Sequence, residues 1–116
     1  FRGYVKGDIN CYHISYFANT PHDGARPVAN LRRNAGFYLV ANGPTGVPLD
    51  RIEGTHRAVL VKDGSHIQMF VDDRKIIDYT DDGQRTGPAL TGGEISLRQM
   101  QWTSARYRNF AVYALP

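Results

Sequence analysis

No window of this chain places apolar residues at i, i+3, i+4 and i+7 while staying free of Gly, Pro and β-branched runs, so no amphipathic helix is predicted. Extended segments bounded by turn chemistry recur instead. Ile9 to Phe17 is rich in aromatic and β-branched residues and stops at the cluster Asn19-Thr20-Pro21-His22-Asp23-Gly24. Val28 to Asn34 and Phe37 to Asn42 follow, parted by Ala35-Gly36, and Gly43-Pro44-Thr45-Gly46 opens a loop that runs to Glu53. The middle of the chain reads as a meander. Thr55 to Lys62 turns at Asp63-Gly64 into His66 to Val71, which turns at Asp72-Asp73 into Lys75 to Thr80, and Asp81-Asp82-Gly83 ends that strand. Gly87-Pro88 and Gly92-Gly93 bound a further loop. Glu94 to Met100 and Ala105 to Leu115 form the last two predicted strands, joined through Gln101-Trp102-Thr103-Ser104. About eight short strands at this spacing predict an all-β antiparallel sandwich spanning residues 1–116 as one domain.

Successive side chains of a strand face opposite sides, so each strand divides into a core row and an outward row. One row of the first strand holds Ile9, Cys11, His13, Ser15 and Phe17, and the other holds Asn10, Tyr12, Ile14 and Tyr16. Across Val28 to Val40, Leu31, Phe37 and Leu39 form one row, and Asn30, Arg32, Asn34, Tyr38 and Val40 the other. A row of amide, guanidinium and phenol groups suits a sugar, whose hydroxyls pair with the first two and whose apolar face lies on the ring. An ordinary solvated sheet face has the same composition. Near the C-terminus, Ile95 and Leu97 oppose Ser96, Arg98 and Met100, while Phe110 and Val112 oppose Tyr107, Asn109 and Tyr113. Arg98 and Arg32 together would pair bidentately with the carboxylate of an acidic sugar such as a uronate.

Composition narrows the remaining choices. The chain has 116 residues and is 41% hydrophobic, enough for a core without disulfides, and its single Cys11 cannot close an internal bridge. The four histidines, His13, His22, His56 and His66, show no metal-ligand spacing with one another or with Cys11, so no metal and no cofactor is expected. A net charge of +3, spread mostly as single residues beside turns, favours an anionic ligand over nucleic acid. No apolar run reaches the roughly 20 residues that cross a bilayer, and no membrane partner is expected. The sequence starts at Phe1 rather than Met, which leaves room for a segment upstream of it and leaves the compartment open. Asp72-Asp73 and Asp81-Asp82 have the placement of turn residues. No strand-borne carboxylate pair and no Gly-x-Ser-x-Gly elbow is present, so the candidates for proton transfer are His13 and Tyr16.

Three segments carry a family resemblance: Tyr12-His13-Ile14-Ser15-Tyr16-Phe17, then Asn30-Leu31-Arg32-Arg33-Asn34 with Gly36-Phe37-Tyr38-Leu39-Val40-Ala41, and Gly93-Glu94-Ile95-Ser96-Leu97-Arg98-Gln99-Met100. Together they resemble a bacterial domain-of-unknown-function family with a concanavalin A-like lectin/glucanase jelly roll, some members of which are encoded beside genes for rhamnogalacturonan degradation. Gly93 to Leu97 with Tyr107-Arg108-Asn109-Phe110 and Leu115 is also similar to 3-keto-disaccharide hydrolase and laminin-G-like sandwiches. The resemblance places His13, Tyr16, Asn30, Arg32, Arg33, Tyr38 and Arg98 at the polar positions of the family's motifs, without assigning roles. It implies a longer jelly roll than this chain, so the N-terminal strands of full-length relatives are expected to be missing, or the fold to be a minimal sandwich or a homodimer. The function expected is binding or processing of an acidic, uronate-containing plant-type oligosaccharide. Asn30, Arg32, Arg33, Asn34, Tyr38 and Arg98 would hold the ligand, and processing would be by a lyase or hydrolase. The alternative is a non-enzymatic module that associates with itself, or a truncated gene product.

Overall fold

The computed structural model describes residues 9–16, 27–45, 55–99 and 104–116. Six strands form among them: β1 (Cys11–Tyr16), β2 (Ala29–Asn34), β3 (Tyr38–Asn42), β4 (Ala58–Asp63), β5 (His66–Val71) and β6 (Arg74–Thr80). They make two antiparallel three-stranded sheets, ordered β1-β2-β3 and β4-β5-β6. The predicted turn signals close the meander. Asp63 pairs with His66 around Gly64-Ser65, with Gly64 at φ 56°, and Val71 pairs with Arg74 around Asp72-Asp73. Both of those aspartates take positive φ, which two-residue hairpins demand because only such turns match the twist of the flanking strands.

The two sheets pack face to face, with β6 lying against β2 and β3. The core consists of Val28, Ala29, Leu31 and Val40 from one side and Ile67, Val71, Ile76 and Ile77 from the other. Tyr12, Ile14, Tyr16, Ala41, Met69 and Tyr79 close around it, each partly buried. Strict alternation is broken twice. The register slips between Leu31 and Arg32 opposite β3, and between Met69 and Phe70 opposite β6, so Val40 and Ile76 are the extra residues of two β-bulges. Each bulge lets two successive apolar residues, Val40-Ala41 and Ile76-Ile77, turn inward. Gly43 lets the chain pass close to the facing sheet: a Cβ there would sit 2.6 Å from the Ile76 carbonyl oxygen.

Of the two strands predicted over Glu94 to Met100 and Ala105 to Leu115, neither is formed among the described residues. Residues 91–99 and 104–116 carry no strand pairing and are exposed throughout. Their alternation is real, but a strand exists through hydrogen bonds to a neighbour, and among the described residues these stretches pair with no strand of either sheet. The turn cluster Asn19 to Gly24, the loop from Gly46 to Glu53 and the link Gln101-Trp102-Thr103 lie outside the described residues. Among those described, no helix is long and apolar enough to cross a membrane.

Candidate functional site

Residues directly opposite each other in an antiparallel pair share a face. On the face of the first sheet turned away from the core, His13 therefore stands beside Arg32 and Arg32 beside Leu39, while Ser15 stands beside Asn30 and Asn30 beside Asn42. Asn30 and Arg32 are half-buried on this face, as are His13 and Ser15. The Arg32 guanidinium lies 4.4 Å from the centroid of the Phe37 ring and donates a long bond of 3.5 Å to the Phe37 carbonyl oxygen. The same ring is 6.3 Å from that of His13. Phe37 thus braces a planar cation that keeps donor positions for a ligand. Burial first, and the Arg32 charge second, hold the His13 imidazole below its ordinary value. At neutral pH it is uncharged and has one nitrogen able to accept a proton.

The other predicted residues are distributed differently. Arg33 faces inward and is only 5% exposed. Its Nη1 donates to Asp81 Oδ2 at 3.5 Å, both terminal nitrogens donate to the Pro88 carbonyl oxygen at 3.2 Å, and Nη2 donates to Asn10 Oδ1 at 3.3 Å. Asn34 is fully buried, its amide donating to Cys11 Sγ at 3.5 Å. Tyr38 does not belong to the Arg32 row. The bulge at Val40 shifts the phase, so Leu39 lies beside Arg32 and Tyr38 pairs with Arg33 on the opposite face, its ring folded over Gly36. Arg98 lies in the stretch 91–99, outside both sheets. Tyr16 occupies the core side of β1, so His13 and Tyr16 do not share a site. Burial, then the charge of Asp72, raises the Tyr16 phenol, which stays protonated.

Asp81 is the residue that strand-by-strand reasoning did not single out. It is 3% exposed, accepts the Tyr12 hydroxyl at 2.6 Å and the Gly83 amide at 2.9 Å, and pairs with Arg33. Burial alone would raise its pKa, but those two hydrogen bonds and the Arg33 and Lys62 charges together hold it below the usual carboxylate value. The Tyr12 oxygen in turn accepts the Leu90 amide at 3.2 Å. This network straps residues 81–90 to the inner face of the first sheet. A second carboxylate, Asp72, accepts the Arg57 amide at 2.9 Å and contacts His56 Nδ1 at 2.6 Å, with Tyr16 edge-on to the His56 ring. The aspartates predicted for turns therefore do turn work, and two of them also anchor neighbouring segments. Among the described residues, no group of three or more His, Cys, Asp or Glu is placed to hold a metal ion.

Comparison with known proteins agrees with the architecture. A crystal structure from Bacillus subtilis, described as a protein of unknown function with a galectin-like fold, superimposes with a TM-score of 0.60 at 34% identity, covering 75% of this chain and 40% of that one. The uncharacterized protein YesU of Bacillus subtilis (strain 168) is 38% identical over 112 residues, which is 95% of this chain and 51% of YesU. The chain thus spans about half the length of that curated relative. Residues 1–112 match the model of the domain of unknown function DUF1961, and with a relative of such similarity the chain belongs to that family.

Proposed function

We propose that this protein binds an oligosaccharide on the outward face of the β1-β2-β3 sheet, and that the ligand is acidic, with a uronate carboxylate paired to Arg32. The observation that carries this reading is the Arg32 guanidinium, braced on Phe37 at 4.4 Å and flanked across the strands by His13 and Leu39, with Asn30, Ser15 and Asn42 on the same face. Amide and hydroxyl groups beside a fixed guanidinium supply the mixed donors and acceptors that sugar hydroxyls require, and the exposed Leu39 offers an apolar contact. The galectin-like fold of the solved relative supports a carbohydrate ligand. A net charge of +3, and the resemblance to a family some of whose members are encoded beside genes for rhamnogalacturonan degradation, favour an acidic, plant-type one. Binding is the activity this geometry supports. His13 is the group on this face able to take a proton; Tyr16 points the other way.

Calorimetry with oligogalacturonides and with a neutral oligosaccharide of equal length tests the reading. A desolvated, charge-assisted pair is worth about 1.5–3 kcal/mol, so Arg32→Ala should weaken the acidic ligand roughly 10- to 100-fold. The neutral sugar should bind more weakly and respond little to the substitution. Equal affinity for both sugars, or indifference to Arg32→Ala, would remove the acidic-sugar assignment. Absence of any sugar binding would remove the site.

A further inference from the structure

Asn42 is the one asparagine of the sequence that a glycine follows. Packing fixes that glycine: a Cβ on Gly43 would sit 2.6 Å from the Ile76 carbonyl oxygen and 3.3 Å from the Ala29 Cβ. With no side chain on residue 43, nothing shields its main-chain nitrogen from the Asn42 side chain, and the backbone there is free to bend. This is the arrangement in which an asparagine loses its amide most readily. The reaction uses atoms of these two adjacent residues and water, so it calls for no other part of the chain and no partner.

The structure holds the attacking nitrogen in check. The Gly43 N–H donates to the Ala29 carbonyl oxygen at 2.8 Å, and the Val28 N–H donates to the Pro44 carbonyl oxygen at 3.0 Å. Beyond these bonds, among the described residues, the β2-β3 ladder continues only as the isolated bridge between Pro27 and Thr45. The protecting bond therefore lies near the end of a ladder. Bonds in such places open by local fraying, at a free energy well below that of global unfolding.

We infer that Asn42 is a site of spontaneous deamidation in the folded protein, gated by fraying of the β2-β3 ladder at Gly43. Once the bond to Ala29 opens, base removes the Gly43 amide proton and the nitrogen attacks Asn42 Cγ. The N–Cγ bond forms, the Cγ–Nδ2 bond breaks, and Nδ2 takes a proton from solvent and leaves as ammonia. Water then opens the cyclic imide at either carbonyl. Opening at Cγ gives Asp; opening at the main-chain carbonyl gives isoaspartate, whose main chain is longer by a methylene and no longer brings Gly43 into register with Ala29. Nothing is oxidised or reduced, and water is the co-reactant.

Asn42 stands opposite Asn30, on the face that carries Arg32. A new carboxylate at position 42 would be about 7–8 Å from Arg32 across the diagonal. Resting on the acidic-ligand reading above, a fixed anion at that distance should weaken a uronate ligand roughly three- to tenfold. A ligand that spans Asn30 and Asn42 should in turn hold the ladder closed and slow the reaction.

The test follows the peptides of the purified chain by mass spectrometry during incubation at mildly alkaline pH, in a urea series and with or without oligogalacturonide. Asn42 should convert to Asp and isoaspartate ahead of every other asparagine, more slowly than in the unfolded chain. Urea below the unfolding transition should leave the rate nearly unchanged, because fraying exposes little surface. Ligand at about ten times its dissociation constant should slow the rate about tenfold. Asn42→Asp should weaken the acidic ligand by the factor given and leave a neutral sugar unaffected. Asn42 left intact in the folded chain over a time that converts it in the unfolded one, or a rate that climbs with urea in step with the unfolded fraction, would overturn the proposal. A bound ligand that does not slow the rate would overturn the coupling. Deamidation as expected with no sugar bound by the unmodified chain would support the modification site and remove the ligand reading.

Discussion

Replacing Asp81 by Ala should unfold this protein far more readily than its place beside a surface turn suggests. The carboxylate accepts the Tyr12 hydroxyl and the Gly83 amide and neutralises Arg33, with the two charged side chains 1% and 6% exposed. Removing one member of a buried pair typically costs about 3–5 kcal/mol, because the other charge is left without a counter-ion. Arg33 would keep its neutral acceptors Pro88 and Asn10, which places the loss near the lower end, about 3 kcal/mol. A domain of this length carries on the order of 10 kcal/mol in total, and the melting midpoint should fall by about 10–20 °C. Urea unfolding followed by circular dichroism measures the loss. Adding Arg33→Met to Asp81→Ala should restore part of it by removing the stranded charge. The pH dependence follows with a definite sign: because the folded pKa of Asp81 is depressed, its stabilisation is present above the unfolded value near 3.9 and fades as pH falls through the folded one. The Asp81→Ala variant should lack that acid-side decline. A loss below about 1 kcal/mol, or a double variant no more stable than Asp81→Ala, would refute the reasoning.

Two further outcomes can be checked with equal economy. Gly43→Ala should destabilise by about 1–3 kcal/mol in the same urea assay, since the added methyl would sit 2.6 Å from a backbone carbonyl oxygen that belongs to the facing sheet. The His13 imidazole, followed by NMR, should titrate below its ordinary value of about 6.5. Its contribution to stability should be full above that value and decline as pH falls through the folded pKa, and Arg32→Ala should move the titration upward.

The meander β4-β5-β6 was legible in the sequence because the turn signals at Asp63-Gly64 and Asp72-Asp73 mark two hairpins, although the first turn closes one residue later, at Gly64-Ser65, and β6 carries a bulge. Asn30 and Arg32 were legible as one row because alternation within β2 is unbroken, whereas the place of His13 beside Arg32 depends on the β1-β2 register, which no single strand's pattern carries. Tyr38 was misplaced because a bulge leaves no mark in a residue pattern; Val40 is as apolar as a regular core residue. The inward turn of Arg33 was equally hidden. Its counter-ion lies 48 residues away, beyond a segment whose aspartates have a sufficient local explanation in the turns they make. The predicted strands near the C-terminus failed for a different reason, since period-two alternation reports fitness for a sheet and not the presence of a neighbour.

The bulge at Val40 also makes β3 a strand with two phases. Residues before it are read against β2 in one parity and residues after it in the other, so the extra residue works like an inserted letter in a reading frame. Deleting Val40 while keeping the Gly43 end anchored would remove the extra residue and leave Leu39 opposite Arg32 and Tyr38 opposite Arg33, the partners they already have. Loss of one residue at this point would take a valine from the core without exchanging the side chains that stand beside Arg32, so the outward face of β3 is insulated from a change of length at the bulge.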